Sequence, residues 1–179
     1  MDYTEKAVRH VNRYEGIIVD VTVDMVKLPN DELTMREVVH HPGGVCVAAV
    51  DDDGYVTVVR QFRYPFGEHL TELPAGKLEK GEDPLPAAKR ELSEETGLEA
   101  DCWQDLGVIY TSPGFSTEAL YLYLATGLHQ GDAHPDPNEF LDVEKIPLRS
   151  LVKQVTDGSV RDAKTVVGAL KAAAILGRI

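Results

Sequence analysis

Cysteine is scarce in this 179-residue chain: Cys46 and Cys102 are the only two. Two cysteines could form one disulfide in principle. Cys46 sits in an apolar, strand-like run, so both thiols are expected to be buried and reduced, as in a cytoplasmic protein. No apolar run approaches the roughly 20 residues that a membrane-spanning helix needs. The opening residues, Met1-Asp2-Tyr3-Thr4-Glu5-Lys6, lack the apolar stretch of a signal peptide and are not expected to act as one. Basic residues are few as well, with 18 Lys and Arg against 30 Asp and Glu and a formal charge of −12. Broad nucleic-acid binding calls for a basic patch, and this balance argues against it. Internal repeats and low-complexity linkers are absent too.

What remains is an ordinary soluble composition, 43% hydrophobic and 27% charged, at a length that can bury a substantial core. β-branched and alternating residues predict a strand over Ile17–Val26. A hairpin partner is expected over Leu33–His40, with turn chemistry at Leu28-Pro29-Asn30-Asp31. Val45–Val50 is continuously apolar, which suits a strand covered on both faces. Asp51–Gly54 reads as a turn into a strand over Tyr55–Gln61. Further strands are expected near Asp101–Tyr110, Ala119–Ala125 and Phe140–Ile146, and helices over Leu148–Thr156 and Asp162–Leu176. One central helix is predicted over Pro84–Thr96. Asp83 is its N-cap, Pro84 its first position and Gly97 its left-handed stop. Strands flanking that helix, with helices closing the chain, predict a mixed α/β layered fold.

The central helix carries the chemistry. Glu91, Glu94 and Glu95 stand at i, i+3 and i+4 and project from one side, beside a face of Leu85, Leu92 and Thr96 that would pack on a sheet. Like charges so close repel by a few tenths of a kcal/mol per pair, and the helix dipole disfavours anions in the last turns. Both penalties point to a cation. Hard oxygen ligands without accompanying His or Cys select magnesium or manganese over zinc. A metal would also reconcile an acidic protein with a phosphate-bearing substrate. Glutamates on a helix are more often a solvated face, and the triad alone would not overturn that.

The surrounding pattern does. Gly76, Glu82, Arg90, Glu91, Leu92, Glu94, Glu95, Gly97 and Leu98 match every fixed position of G-x5-E-x7-R-E-U-x-E-E-x-G-U, where U is aliphatic. The segment resembles the box of the Nudix hydrolases. That resemblance implies an α/β/α sandwich with a mixed sheet, here joined to an N-terminal antiparallel β-hairpin region. It implies two or three Mg2+ ions, Mn2+ being the alternative, held by Glu91, Glu94, Glu95 and the backbone carbonyl of Ala75. Arg90 would pair with Glu82 or Glu94 and orient it, and Gly76 would allow close approach of the chain.

The box fixes the reaction centre and leaves the substrate open. In Thr111-Ser112-Pro113-Gly114-Phe115-Ser116, Pro113 lies sixteen residues beyond Gly97, a spacing that resembles the ADP-ribose pyrophosphatase subfamily. Ser-Pro-Gly is also ordinary turn chemistry. The segments Arg36–Val39 and Gln61–Pro65 look like that subfamily's substrate-facing strands. Arg36 and Arg63 are therefore candidate contacts to adenine or phosphate, or else members of surface ion pairs. Pro113, Gly114 and Phe115 are candidate substrate contacts, and Glu72 could support the metal cluster. The catalytic base of the resembling enzymes is a loop glutamate, for which Glu139 fits best, with Asp136 and Glu118 as alternatives. His40, His41 and His134 read as loop or surface histidines and Trp103 as packing.

The function implied is metal-dependent hydrolysis of a nucleoside diphosphate sugar, ADP-ribose to AMP and ribose 5-phosphate. The same chemistry on GDP-mannose or a dinucleotide is the nearest rival. A sensor that binds ADP-ribose without cleaving it is another, though it would be expected to show a degraded box. The resemblance further implies a homodimer. Residues 1–42 would serve dimerisation and the nucleotide pocket, and residues 43–179 would form the catalytic domain.

Overall fold

The computed structural model describes residues 2–131 and 140–178. The chain divides into two compact units, Met1–Gly43 with Tyr110–Ala119, and Gly44–Ile109 with Leu120–Ile179.

The first unit is an antiparallel sheet of β1 (Lys6–Glu15), β2 (Asp20–Lys27) and β3 (Leu33–His40), in the order β1-β2-β3. The expected hairpin is β2–β3. Its turn is closed by Leu28 N–H donating to the Glu32 carbonyl (2.8 Å), with Asp31 at φ 68°. The third strand, β1, has no counterpart in the hydrophobic pattern because only one of its ten residues is even half-buried. A strand with neither face covered carries no alternation to read. Strand β2 starts at Asp20, later than expected, because Gly16 N–H donates to the Val19 carbonyl (3.1 Å) and to Asp20 Oδ1 (3.2 Å). The loop after Tyr110 docks on β3, where Val39 N–H donates to the Phe115 carbonyl (2.7 Å) and Thr117 N–H to the Val39 carbonyl (2.9 Å).

The second unit is built from β4 (Gly44–Ala49), β5 (Tyr55–Arg63), β6 (Glu68–Glu72), β7 (Ala75–Lys77), α1 (Pro84–Thr96), β8 (Leu98–Tyr110), β9 (Ala119–Gln130), β10 (Leu141–Pro147), α2 (Leu148–Thr156) and α3 (Ala163–Ile175). One sheet runs β7-β4-β9-β8. It is mixed, since β4 pairs parallel with β9 and antiparallel with β7. A second, antiparallel sheet runs β10-β5-β6.

Strand β4 shows why its apolar run does not alternate. Val45, Val47 and Ala49 face a core shared with Ala87, Ala88 and Leu92 of α1. Cys46 and Ala48 face a core shared with Leu148 and Leu151 of α2 and Ala169, Ala172 and Ala173 of α3. Helices therefore cover both faces, and the unit is an α/β/α sandwich.

Helix α1 has the expected bounds. Gly97 ends it at φ 69°, donating to the Ser93 carbonyl (2.8 Å). Asp83 holds the N-cap position, but its carboxylate caps nothing; Pro86, at the third position, has no N–H to offer it. Helix α3 is capped in full, with Asp162 Oδ2 accepting from Thr165 N–H (3.0 Å) and Thr165 Oγ1 (2.6 Å). The expectation for the thiols is half corrected. Cys46 is buried, and burial pushes its thiol up to about 12, whereas Cys102 is exposed on β8. Among the described residues, no helix is long and apolar enough to cross a membrane.

Candidate active site

The carboxylates of α1 gather against β7. Glu91 and Glu95, one turn apart, are buried to 9% and 3% exposure, an unusual state for glutamates that face only solvent elsewhere on helices. Glu95 Oε2 accepts from the Ala75 backbone N–H at 3.0 Å, which ties the last turn of α1 to the start of β7. Gly76 is the reason Glu91 fits. A Cβ at Gly76 would lie 1.9 Å from the Glu91 carboxyl carbon and 2.1 Å from both its oxygens. The glycine thus serves close approach of a side chain to the backbone and not a special φ.

Arg90 stands at the centre. It bonds both oxygens of Glu82 through Nε and Nη2, each at 3.0 Å, and its Nη1 reaches Glu91 Oε1 and Glu94 Oε2, each at 2.8 Å. Sequence reasoning left Glu82 and Glu94 as alternatives; Arg90 bonds both, and Glu91 besides. The Arg90 hydrogen bonds hold the Glu82 carboxyl below the usual carboxylate range. The bonds to Glu82, with the neighbouring Glu91 and Glu94, hold the Arg90 guanidinium charged against its partial desolvation.

Of the four carboxylates Glu82, Glu91, Glu94 and Glu95, Arg90 bonds the first three, so these five side chains together keep an excess of negative charge. The cluster's donors are hard oxygens, those of Glu91 and Glu95 on buried side chains, and the Glu91 carboxylate occupies a cradle that a Cβ on Gly76 would fill. That donor set fits a hard divalent cation. Among the described residues, no three His, Cys, Asp or Glu side chains already form a ligand group. Arg90 closes the cluster instead.

A second charged group lies in the same unit. Glu72, at the end of β6 and 1% exposed, accepts a forked pair from Arg63 of β5, Nε to Oε1 and Nη2 to Oε2, each 2.6 Å. Lys164 of α3 also donates to Glu72 Oε2, and to Asp162 Oδ1 at 3.0 Å. Burial alone pushes the Glu72 carboxyl up; the Arg63 hydrogen bond and the Lys164 charge overrule it, and the net is downward. Sequence reasoning singled out neither Lys164 nor Asp162 as a site residue, since 92 residues separate Lys164 from Glu72 and no motif links them.

The remaining candidates lie in the first unit or outside the described residues. Arg36 on β3 makes a forked ion pair with Glu5, Nε to Oε2 at 3.0 Å and Nη2 to Oε1 at 2.6 Å. Pro113, Gly114 and Phe115 form the loop docked on β3, with Phe115 N–H and Ser116 N–H closing on the Ser112 carbonyl at 3.1 and 2.9 Å. Glu118 accepts from Thr111 Oγ1 and lies 3.6 Å from His41 Nδ1. Glu139, Asp136 and His134 lie outside the described residues. Trp103 packs at the edge of the α1 core, edge-on to Tyr123 with ring centroids 6.3 Å apart.

The NUDIX domain profile matches residues 40–166, a span that includes the whole α1 cluster and the loop around Pro113. The chain belongs to the Nudix family. Within that family it is 42% identical over 163 residues to an ADP-ribose pyrophosphatase of Bacillus subtilis, covering 90% of this chain and 88% of the relative. It is 40% identical over 167 residues to a methanol dehydrogenase activator of Bacillus methanolicus, covering 92% and 90%. An ADP-ribose pyrophosphatase of Mycobacterium tuberculosis is 38% identical over 165 residues, covering 90% and 80%. A solved structure, a crystal structure of an ADP compounds hydrolase, shares the fold with a TM-score of 0.84 at 18% identity, over 98% of this chain and 97% of that one. The expected Nudix sandwich is thereby met in both sequence and architecture.

Proposed function

We propose that this Nudix protein hydrolyses the diphosphate of ADP-ribose to AMP and ribose 5-phosphate, using magnesium or manganese. The observation that carries the reading is the buried pair Glu91, in the Gly76 cradle, and Glu95, on the Ala75 N–H, in a chain 42% identical to an ADP-ribose pyrophosphatase. Glu91, Glu94, Glu95 and the Ala75 carbonyl are the residues that would hold the ions. Divalent cations bound there supply Lewis-acid polarisation and a water of lowered pKa. The residues of the chain do the rest. Arg90 orients the box carboxylates, and Arg63 offers a guanidinium to a phosphate oxygen. Glu139 accepts the proton of the attacking water as the new phosphorus–oxygen bond forms and the bridging one breaks. Arg36, Pro113, Gly114 and Phe115 are assigned to the nucleoside. We place the protein in the cytoplasm as a homodimer joined through residues 1–42, a region where Ile17, Leu33 and Met35 are exposed.

Two readings compete. GDP-mannose is one, because a GDP-mannose pyrophosphatase of Yersinia pestis is 30% identical over 149 residues. Activation of a partner enzyme is the other, because the Bacillus methanolicus relative carries that name. A panel of ADP-ribose, GDP-mannose and dinucleotides with Mg2+, scored by product identity, separates them. ADP-ribose should be the preferred substrate, with AMP released. Glu95→Gln should fold normally and lose turnover by orders of magnitude; near-wild-type activity in that variant would sink the assignment.

A further inference from the structure

The Arg63–Glu72 pair does not stand alone, and the two cations bonded to Glu72 are not equivalent. The Arg63 side chain is 38% exposed, whereas that of Lys164 is 11% exposed. Arg63 is therefore the more accessible of the two cations, and Lys164 holds the same carboxylate from the interior. Lys164 is itself fixed by Asp162, whose other oxygen caps α3 through Thr165. Thr165 Oγ1 in turn accepts from the Leu73 backbone N–H (2.8 Å), next in the chain to Glu72. Pro74 is tied by its carbonyl to Val47 N–H (2.8 Å), and Ala75 by its N–H to Glu95 (3.0 Å). The start of α3 thus clamps the four-residue strap Glu72–Ala75 at its first two positions, and the box helix holds its last.

Charge gives the clamp a use beyond support. Arg63, Lys164, Glu72 and Asp162 sum to zero. Without Lys164, two carboxylates would face one guanidinium, and Arg63 already feels the charge of Glu95. The surplus would lie where a polyanionic diphosphate is to be received, and a buried carboxylate would lose one of its two cations.

We propose that Lys164 is a positioning residue for substrate binding. By neutralising and orienting Glu72, it leaves the half-exposed Arg63 guanidinium with positive charge to offer a phosphate oxygen of the nucleoside diphosphate while its fork stays on Glu72. The proposal rests on the pyrophosphatase reading above and adds the residue that sets the strength of phosphate binding.

The test is steady-state hydrolysis of ADP-ribose by Lys164→Met and Lys164→Arg in the full-length protein, with substrate binding measured by calorimetry. Lys164→Met should raise KM about tenfold and weaken binding in parallel, with kcat within about threefold of wild type. Lys164→Arg, which keeps the charge, should restore both constants to within about threefold of wild type. A merely structural lysine would lower kcat through lost active protein and leave KM unmoved. That result, or an Arg variant as impaired as the Met variant, overturns the proposal. If Lys164→Met is not recovered folded, Lys164→Gln, which keeps a donor but no charge, is judged by the same thresholds. Wild-type protein inert to every nucleotide sugar defeats the pyrophosphatase reading and this proposal with it. Wild-type turnover with an unmoved KM in the variant defeats the role of Lys164 alone.

Discussion

Gly76→Ala should disable the site and leave the fold standing. Gly76 pairs with Val45 across β7 and β4, and its φ is not positive, so the backbone accepts alanine. The new Cβ would lie 1.9 Å from the Glu91 carboxyl carbon. Carbon atoms in contact stand about 3.5 Å apart, so the carboxylate must retreat by about 1.5 Å. A misplacement of about 1 Å at a reacting centre costs on the order of 100-fold in rate. We therefore expect kcat to fall about 100-fold. Stability should change little. Glu91 is buried and its bond to Arg90 is charge-assisted, so disturbing it costs about 2 kcal/mol, of which Gly→Ala returns about 1 kcal/mol by restricting the unfolded chain. In a chain this size that keeps Tm within about 4 °C of wild type. Turnover of ADP-ribose at saturating Mg2+ and thermal unfolding followed by circular dichroism are the assays. The effect should also be carried by Glu91, so adding Gly76→Ala to Glu91→Gln should cost little more than Glu91→Gln alone. A folded Gly76→Ala variant with kcat within about threefold of wild type would refute the reasoning.

The Glu72 network makes stability depend on pH in a fixed direction. The folded Glu72 carboxyl titrates below its ordinary value of 4.5, so its contribution is complete above that value and disappears as pH falls through the depressed one. Lys164 is raised above 10.5, so its contribution is complete below that and is lost only as pH climbs through the raised value. Glu72→Gln should lose about 3 kcal/mol at neutral pH and then show a shallower acid decline than wild type, read from urea unfolding at a series of pH values; parallel curves would contradict this. Sedimentation equilibrium should give about twice the 19.7 kDa chain mass, and a monomer at working concentration would remove the homodimer.

The sequence was most legible where one physical signal had no competitor. Helix α1 could be bounded because Pro84 and Gly97 suit one helix end each. Strand β4 could be read because an unbroken apolar run has only one use in a sheet flanked by helices. Strand β1 could not, since exposure on both faces removes the alternation that marks a strand. Cys102 was misplaced for a related reason: its neighbours Asp101, Trp103 and Gln104 give no clear burial period, and it points outward from β8. In the site, the glutamates were legible because helical spacing fixes which side chains share a face. Lys164 was not, because its partner Glu72 is joined to it only by the tertiary fold.

The repulsion that made the glutamate triad conspicuous in sequence is largely answered within the protein. Arg90 takes Glu82, Glu91 and Glu94, and the Ala75 N–H takes Glu95, so α1 can form its buried face with each carboxylate engaged. This weakens the argument that the triad demands a cation in order to fold, and it shifts the demand to the substrate. One guanidinium cannot neutralise four carboxylates, so a diphosphate approaching Glu91 and Glu95 meets net negative charge in a site of reduced dielectric. The second group offers no surplus either, being neutral as a set, although its cation Arg63 is partly exposed. Positive charge brought from solution would therefore serve the binding of a polyanion at this helix, whereas Arg90 answers the repulsion among the carboxylates and the helix itself packs through Ala87, Ala88 and Leu92.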